Sequence, residues 1–496
     1  MILGKLCLET MRLEDITKLI QPILVRGPVS ADIEGIAYDS RQVRPNYLFV
    51  AIRGEKVNGE DYIDDAIRRG AVAVVSEVDA WHKRTVAHIH VDDARLALAE
   101  ISSAYYGHPS QRLELFGITG TNGKTTTSFM IRHILEMAGR ASGLIGTVRY
   151  EIGPRVIPAT RTTPEAPDIH FMFDQMLRTG CESAVMEVSS HALDQKRVWG
   201  IAFDVGIFTN LSHDHLDYHG SMQSYFNTKC QLFRSLGQLG KSATAVINMD
   251  DPWGMQIASI NGLNARLLTY GEHPGAMVQA SNVELSSTGS RFDLESPWGS
   301  CPVSLNMPGR HNISNALAAI AAAAVRNIPL STIVAALADM PQVPGRLQMF
   351  KGAKDVNVYV DYAHTADALG RVLQTLREFT RGRVIVAFGC GGNRDKGKRP
   401  VMGAIASQYA DHVILTNDNP RGEDPRVIIR EIESGIRPGA SYEVQPDREL
   451  AIARAIACAK PGDTVLVAGK GHENYQEFSG AIMPFDDGQV VQKYLI

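Results

Sequence analysis

Gly117-Ile118-Thr119-Gly120-Thr121-Asn122-Gly123-Lys124-Thr125-Thr126-Thr127 closes an apolar stretch that begins at Leu113. An apolar run, a glycine-rich turn and then Lys-Thr read as strand, loop and helix, with the loop as a phosphate cradle. Glycines let successive backbone N–H groups converge on phosphate oxygens, and the helix starting near Lys124 adds the positive end of its dipole. The lysine and the Thr125 hydroxyl then reach phosphate and Mg²⁺. The sequence therefore predicts a nucleoside triphosphate, ATP or GTP. Five residues separate Gly117 from Gly123, with Gly120 breaking the interval, whereas the commonest cradle has four. This is a variant loop.

Outward from the cradle the pattern continues as strands near 183–188, 205–208 and 244–247, with a helix over 124–138. Strands alternating with helices predict a parallel sheet that binds its ligand at the carboxyl ends of the strands. Before it, strand-like pieces at 47–51 and 71–75 flank a helical stretch at 62–69, a small α/β unit. After it, Met340-Pro341-Gln342-Val343-Pro344-Gly345 cannot continue a helix and reads as a linker. Strands near 356–360, 384–388, 412–415 and 464–468 then form a second doubly wound sheet of Rossmann type. The expectation is an α/β chain of three domains, 1–95, 96–340 and 341–496. A chain of 496 residues allows this at roughly 150 per domain.

Composition narrows the function. Hydrophobic residues at 44% and charged residues at 21% fit a globular chain. A net charge of −4 argues against a general nucleic-acid binder, which needs clustered positive charge. Cys7, Cys181, Cys230, Cys301, Cys390 and Cys458 include no CxxC pair, so thiols in a reducing cytoplasm are expected. The N-terminal stretch is interrupted by charge and reads as no signal peptide. The run Ala316 to Val325 is about half a bilayer span and reads as a buried helix. Small-molecule partners and no membrane span are expected.

Several constellations carry chemistry. Glu187 ends a strand of the cradle's sheet, a place from which a carboxylate holds Mg²⁺; a surface glutamate is the plain alternative. His213-Asp214-His215-Leu216-Asp217-Tyr218-His219 tempts a zinc reading. Its histidine spacing lacks a second ligand pair, and phosphate chemistry recruits Mg²⁺, so one or two of these residues are expected on a second Mg²⁺. Gly389-Cys390-Gly391-Gly392-Asn393-Arg394 has arginine where a dinucleotide fingerprint has its last glycine. The charged run 393–399 and Asp418-Asn419-Pro420-Arg421 both follow apolar strands. Either is a solvated loop or a ligand edge; an arginine there can grip a carboxylate with two parallel hydrogen bonds.

Taken together, 117–127, 187–191, 214–219, His311-Asn312-Ile313-Ser314-Asn315-Ala316, Asp361-Tyr362-Ala363-His364-Thr365 and Gly469-Lys470-Gly471-His472-Glu473 resemble the Mur ligases of peptidoglycan synthesis. The resemblance runs from about Tyr38 to the C-terminus. Asp418 to Arg421 resembles the branch that adds meso-diaminopimelate, where lysine-adding relatives differ at the arginine. The family implies a first domain for the UDP end of the substrate, a central ATPase and a third domain that brings the amino acid. It also implies a reaction: the D-glutamate γ-carboxylate of UDP-N-acetylmuramoyl-L-alanyl-D-glutamate attacks ATP, and the acyl phosphate is then taken by the amino acid's amine.

Carried over by position, the resemblance implies that Gly120, Thr121, Asn122, Gly123, Lys124, Thr125 and Thr126 cradle ATP. Asn312 and Asn315 would lie near the adenine, Arg346 at a phosphate and Asp361 at the ribose. Thr125 and Glu187 would hold one Mg²⁺ and His215 the other. Lys229, otherwise an ordinary helix lysine, matches one carbamylated by CO₂, which would turn a cation into a metal-binding anion. Tyr38, Ser40, Glu55, Lys56 and Val57 match the uridine region; Thr162, Thr163, Ser189, Gln195 and Arg197 match the muramoyl-peptide contacts. Arg161 stands where relatives carry asparagine. Arg394, Asp418, Asn419, Pro420, Arg421, Gly469 and Glu473 match the diaminopimelate site, with Arg421 on a distal carboxylate and Glu473 on the distal ammonium. A monomer is expected.

Three readings share the cradle: the amide ligase, a lysine-adding or folate-polyglutamylating cousin, and a nucleotide-driven binding switch. Arg421 and the first domain favour the first. A switch needs neither a carboxylate grip nor the acid-histidine loop.

Overall fold

The computed structural model describes residues 10–54, 57–79, 86–352 and 356–495. Each of its three main sheets is covered by side chains on both faces, because each carries a continuous apolar run on its central strands. In the first, Tyr47–Val50, Ala71–Ser76 and Ala87–His90 run parallel, with Gly35–Ala37 beside them and Leu24–Arg26 antiparallel at the far edge. Helix Ala94–Tyr105 runs across the boundary expected at residue 95, and Leu98, Ile101 and Tyr105 join the apolar cluster on one face of this sheet. We therefore place the division after Tyr105 and keep the second one in the linker near residue 340.

The central sheet has eleven strands. Seven are parallel, in the spatial order Ser142–Ile145, Ser183–Glu187, Glu114–Thr119, Val205–Phe208, Thr244–Asn248, Arg266–Gly271 and Val278–Ser286. The cradle strand Glu114–Thr119 sits in the middle, and the chain builds first to one side of it and then to the other. That makes its carboxyl end a switch point, where doubly wound sheets open a crevice.

The expected parallel sheet is extended at both edges by antiparallel strands. Arg149–Ile152 and Arg155–Pro158 extend one edge antiparallel, and Gly289–Ser296 and Gly299–Leu305 extend the other. The reason is visible in Arg291-Phe292-Asp293-Leu294-Glu295, where Phe292 and Leu294 are buried and the alternate residues face water. Strands with one wet face pair antiparallel; parallel strands need cover on both faces.

Helix Arg310–Ala324 contains the alanine run and is buried from Ala316 to Ala324. Small side chains let it lie close against helix Lys124–Met137 in the largest apolar cluster. Among the described residues no helix is long and apolar enough to cross a membrane. The third sheet orders Gln348–Lys351, Asn357–Asp361, Thr464–Ala468, Val384–Phe388, His412–Leu415 and Tyr442–Val444, parallel except for the first. Five free cysteines are described, and Cys7 lies outside the described residues.

Candidate active site

The cradle forms where the strand Glu114–Thr119 meets helix Lys124–Met137. Gly120 has φ +151° and Gly123 φ +87°; a Cβ at Gly120 would lie 1.9 Å from Thr209 Oγ1, and one at Gly123 2.4 Å from Asn315 Oδ1. Only glycine gives this path. No side chain caps the helix, so its first amides stay open for an anion. Asn210 braces the turn, accepting from Thr121 N through its carbonyl at 2.9 Å and from Asn122 N through Oδ1 at 3.0 Å. Thr126 is buried beneath it.

Lys124 Nζ donates to the carbonyls of Gly120 and Thr121, and Lys229 Nζ also donates to Gly120 O. Lys229 is buried on helix Met222–Ser235, 4.6 Å from the Tyr225 ring centroid. Burial, followed by the nearby Lys124 cation, holds its pKa well below that of an ordinary lysine.

Register puts Glu187 beside Ile118, at the cradle's level. Its fully buried carboxylate accepts from Thr125 Oγ1 at 3.1 Å, Thr147 Oγ1 at 2.8 Å and Thr147 N at 2.8 Å. Thr147 Oγ1 lies 3.1 Å from Thr162 Oγ1. Thr163 Oγ1 donates to Glu187 O and accepts from Ser189 N. One hydroxyl network thus joins the cradle to Thr162, Thr163 and Ser189. Among the described residues no three His, Cys, Asp or Glu side chains converge as a metal cage. Mg²⁺ needs no such cage: it takes one or two carboxylates and fills its shell with phosphate and water oxygens, so the all-oxygen surroundings of Glu187 fit it. His215, with φ +53°, lies 3.4 Å from Asp214 and edge-on to the His191 ring.

The third domain reaches the cradle at several points. Arg346 Nη2 donates to Thr125 Oγ1 at 3.1 Å, and its guanidinium lies over the Tyr362 ring. Asp367 Oδ2 accepts from Ser212 Oγ at 2.8 Å and Asn122 Nδ2 at 3.3 Å. Asp361 is buried, and its two oxygens accept from the backbone N–H groups of Leu347 and Ala363. Asn312 and Asn315 are buried and hydrogen-bonded to each other at 3.2 Å, with Asn315 Oδ1 also accepting from Thr127.

A second polar cluster crowns the third sheet. Asn419 Nδ2 and Lys470 Nζ both donate to Glu473 Oε2, at 2.9 and 3.0 Å. Asp418 Oδ1 accepts from Asn419 N, and a Cβ at Gly469, where φ is +114°, would lie 2.7 Å from Asp418 Oδ2. Gly392 abuts the Pro420 carbonyl, and Gly391 lies against both Arg421 and Arg394. The charged run divides: Arg394 is exposed and donates to Asn393 O, whereas Arg399 is fully buried on Glu423 and Glu431. Arg399 is a brace for the loops.

At the junction with the first domain, Tyr38 OH donates to Asp168 Oδ2 at 2.7 Å. Arg95, Arg161 and Arg197 converge on the buried Glu165 carboxylate at 3.5, 2.6 and 3.0 Å. Arg197 also holds Gln195 Oε1 at 2.6 Å. Ser40 is buried, Val57 is exposed, and Glu55 and Lys56 lie outside the described residues. Sequence reasoning missed Thr147, Glu165, Asp367 and Arg95. Thr147 follows a strand beside Glu187's and Asp367 opens a helix after an expected motif, so position signalled both; nothing local signalled the Glu165 cluster.

Three family descriptions match this chain: "Mur ligase family, catalytic domain" over residues 32–106, "Mur ligase middle domain" over 118–323, and "Mur ligase, glutamate ligase domain" over 345–471. A UDP-N-acetylmuramoyl-L-alanyl-D-glutamate–2,6-diaminopimelate ligase of Caldanaerobacter subterraneus subsp. tengcongensis is 44% identical over 487 residues, covering 98% of this chain and 99% of that protein. One from Geobacter metallireducens is 43% identical, covering 97% and 98%. A solved structure of a ligase of that name superposes with TM-score 0.70 at 33% identity, covering 98% of this chain and 99% of the other. A folylpolyglutamate synthase from Mycobacterium tuberculosis, solved with ADP and AMPPCP, shares the fold at TM-score 0.62 and 17% identity over 75% of this chain and 92% of its own.

Proposed function

The chain belongs to the Mur ligase family, and from that premise we propose that it adds meso-diaminopimelate to UDP-N-acetylmuramoyl-L-alanyl-D-glutamate with ATP. It works as a cytoplasmic monomer. The observation that supports this reading is the hydroxyl network Thr125–Glu187–Thr147–Thr162, which ties the cradle to Thr162, one of the residues expected at the muramoyl-peptide. A γ-carboxylate held by Thr162, Thr163, Ser189, Gln195 and Arg197 would thereby meet the γ-phosphate cradled by Gly120 to Thr126.

In this reading the dipeptide's γ-carboxylate oxygen forms a bond to the γ-phosphorus, ADP leaves, and an acyl phosphate results. The free amine of diaminopimelate then attacks the acyl carbon, phosphate departs with the C–O electron pair, and the amine loses a proton. Thr125 and Glu187 would hold one Mg²⁺ and His215 would lie beside a second, and these ions would neutralise charge between the two anions. Lys124 and Arg346 bring fixed positive charge to the phosphates, and Asn312 and Asn315 back the nucleotide side of the cradle. Asp361 holds the linker that carries Arg346 through the amides of Leu347 and Ala363, and its remaining acceptor capacity would serve the ribose. Tyr38, Ser40, Glu55, Lys56 and Val57 would serve the uridine end, and Arg161 shields Glu165.

Lys229 suits carbamylation. Burial and the Lys124 cation hold the Lys229 amine well below the ordinary lysine range, which favours the neutral form that attacks CO₂, giving an N–C bond with loss of a proton. On the third domain, Arg394 and Arg421 face a carboxylate, and Asp418, Asn419, Pro420, Gly469 and Glu473 shape the ammonium side.

The test is phosphate release with ATP and the UDP-muramoyl dipeptide across a panel of amino acids. Release dependent on meso-diaminopimelate is expected. Release with L-lysine alone would assign the lysine-adding branch, and release independent of any amino acid would leave a switch.

A further inference from the structure

Arg421 is held in an unusual way for a surface arginine. Its backbone has φ +52°, a left-handed conformation that non-glycine residues seldom adopt. A hairpin, Tyr475–Phe478 paired with Ala481–Pro484, keeps it there. Arg421 N donates to Glu477 O at 3.0 Å, and Ser479 N donates to Arg421 O at 2.6 Å. The same strand clamps the neighbouring loop: Gln476 Nε2 donates to Asp418 O at 3.0 Å, and Glu477 N to Asn419 Oδ1 at 3.1 Å. Its outer strand is exposed at Ile482 and Met483. The hairpin thus adds little apolar burial, and its hydrogen bonds go to the loop that carries Arg421.

The side chains continue the pattern. Glu477 Oε2 lies 3.3 Å from Arg421 Nε, and Arg421 Nη1 donates to Gly392 O at 2.9 Å. Both groups are only partly exposed. A guanidinium is a rigid fork of N–H donors, so anchoring Nε on one side and Nη1 on a carbonyl fixes the plane of the whole group. Nη2 and the other Nη1 hydrogen remain for a ligand. A fixed fork loses less entropy on gripping a carboxylate than a free one does.

We propose that Glu477 is a positioning residue that orients the Arg421 guanidinium toward a second carboxylate on the incoming amino acid, and so contributes to selection of a diacid amino acid over lysine. The inference rests on the reading of Arg421 as the carboxylate grip. Glu477 also lowers the net positive charge that such a carboxylate meets, an effect of opposite sign. Orientation outweighs it because the pair is partly open to water, where a direct ion contact at 3.3 Å keeps more of its strength than the repulsion of a carboxylate held further off.

The experiment compares E477A, E477D and E477Q in the full-length enzyme, with R421A as the control. R421A must raise the KM for meso-diaminopimelate; if it does not, the grip reading fails, whatever Glu477 does. Given that control, E477A should raise this KM about tenfold, with kcat and the KM for ATP unchanged, as expected for loss of a direct, partly buried ion contact on the gripping guanidinium. Any turnover with L-lysine, which lacks the second carboxylate, should not change. E477Q still presents an oxygen to Nε and should stay within about twofold of the parent. E477D keeps the charge but falls short of Nε, and should behave like E477A. A fall in the KM with E477A, an equal effect on lysine, a parallel change in the KM for ATP, or a parent-like E477D would each overturn the proposal.

Discussion

Lys124 Nζ and Lys229 Nζ converge on one acceptor, the carbonyl oxygen of Gly120, at 2.8 and 3.0 Å. A second positive charge beside Lys124 is disfavoured there, and Lys229 is the more deeply enclosed of the two amines. Conversion of Lys229 to an anion would relieve this and attract Lys124. Lys229→Ala should therefore cut kcat by at least about a hundredfold, the scale of losing a preorganised charged group, with partial rescue by small carboxylic acids. Steady-state phosphate release with and without added acetate checks it. Unchanged activity would remove the carbamate from the mechanism.

Gly123 is tested on two counts at once. Its φ is +87°, and an added Cβ would lie 2.4 Å from Asn315 Oδ1. Gly123→Ala should raise the KM for ATP severalfold and cost about 1–3 kcal/mol of stability, the usual scale for a residue forced into this region. Nucleotide titration and thermal unfolding read the two effects separately. A variant with parent-like Tm and KM would show that the loop path tolerates a side chain.

Asp367 joins the third domain to the cradle through Asn122 and Ser212, residues 245 and 155 positions away in sequence. Loss of two hydrogen bonds to one carboxylate should weaken closure by about 1–2 kcal/mol, discounted for partial exposure. Asp367→Ala is expected to enlarge the radius of gyration in small-angle scattering and to raise the KM for ATP. Equal scattering profiles for parent and variant would show that other contacts, such as Arg346 on Thr125, suffice for closure.

The cradle and the parallel strands around it were legible because glycine spacing and apolar runs are local signals. The loop carrying Arg421 was legible at a sheet edge, because it follows the apolar strand His412–Leu415. Arg399 was not: in sequence it belongs to a charged run, and only the fold brings Glu423 and Glu431 around it. The antiparallel strands after residue 278 were missed although Phe292 and Leu294 alternate with polar residues, because the preceding strand–helix pattern invited its own continuation. Asp361 carried a motif but no sign that backbone amides would reach both its oxygens. Contacts between distant segments leave no periodicity to read.

Replacing Arg421 separates recognition from chemistry. Its guanidinium lies on the third domain, while the cradle and Glu187 lie on the central one. Arg421→Asn should raise the KM for meso-diaminopimelate about tenfold to a hundredfold and leave the KM for ATP unchanged, because a bidentate contact is lost far from the phosphates. A fall in kcat with an intact KM would move Arg421 from specificity to catalysis.

His170 sets an acid limit on the fold. It is fully buried on helix Ala166–Arg178, edge-on to Phe173, and among the described residues neither ring nitrogen has a hydrogen-bond partner. Burial, with a smaller push from His108, lowers its pKa from 6.5 to about 3. The folded state therefore keeps this ring neutral where the unfolded chain protonates it. Its contribution is intact above the unfolded value near 6.5 and is lost as pH falls below that, until the folded value near 3 is reached. At pH 5 the loss is about 2 kcal/mol, roughly 1.4 kcal/mol for each further unit. His170→Phe removes the titrating group while keeping an aromatic ring in an apolar site. Denaturant unfolding at pH 7 and pH 5 should show a smaller stability difference for the variant than for the parent, by about 2 kcal/mol. Equal pH dependence in the two proteins would show that His170 gains a proton, or a water partner, without cost to the fold.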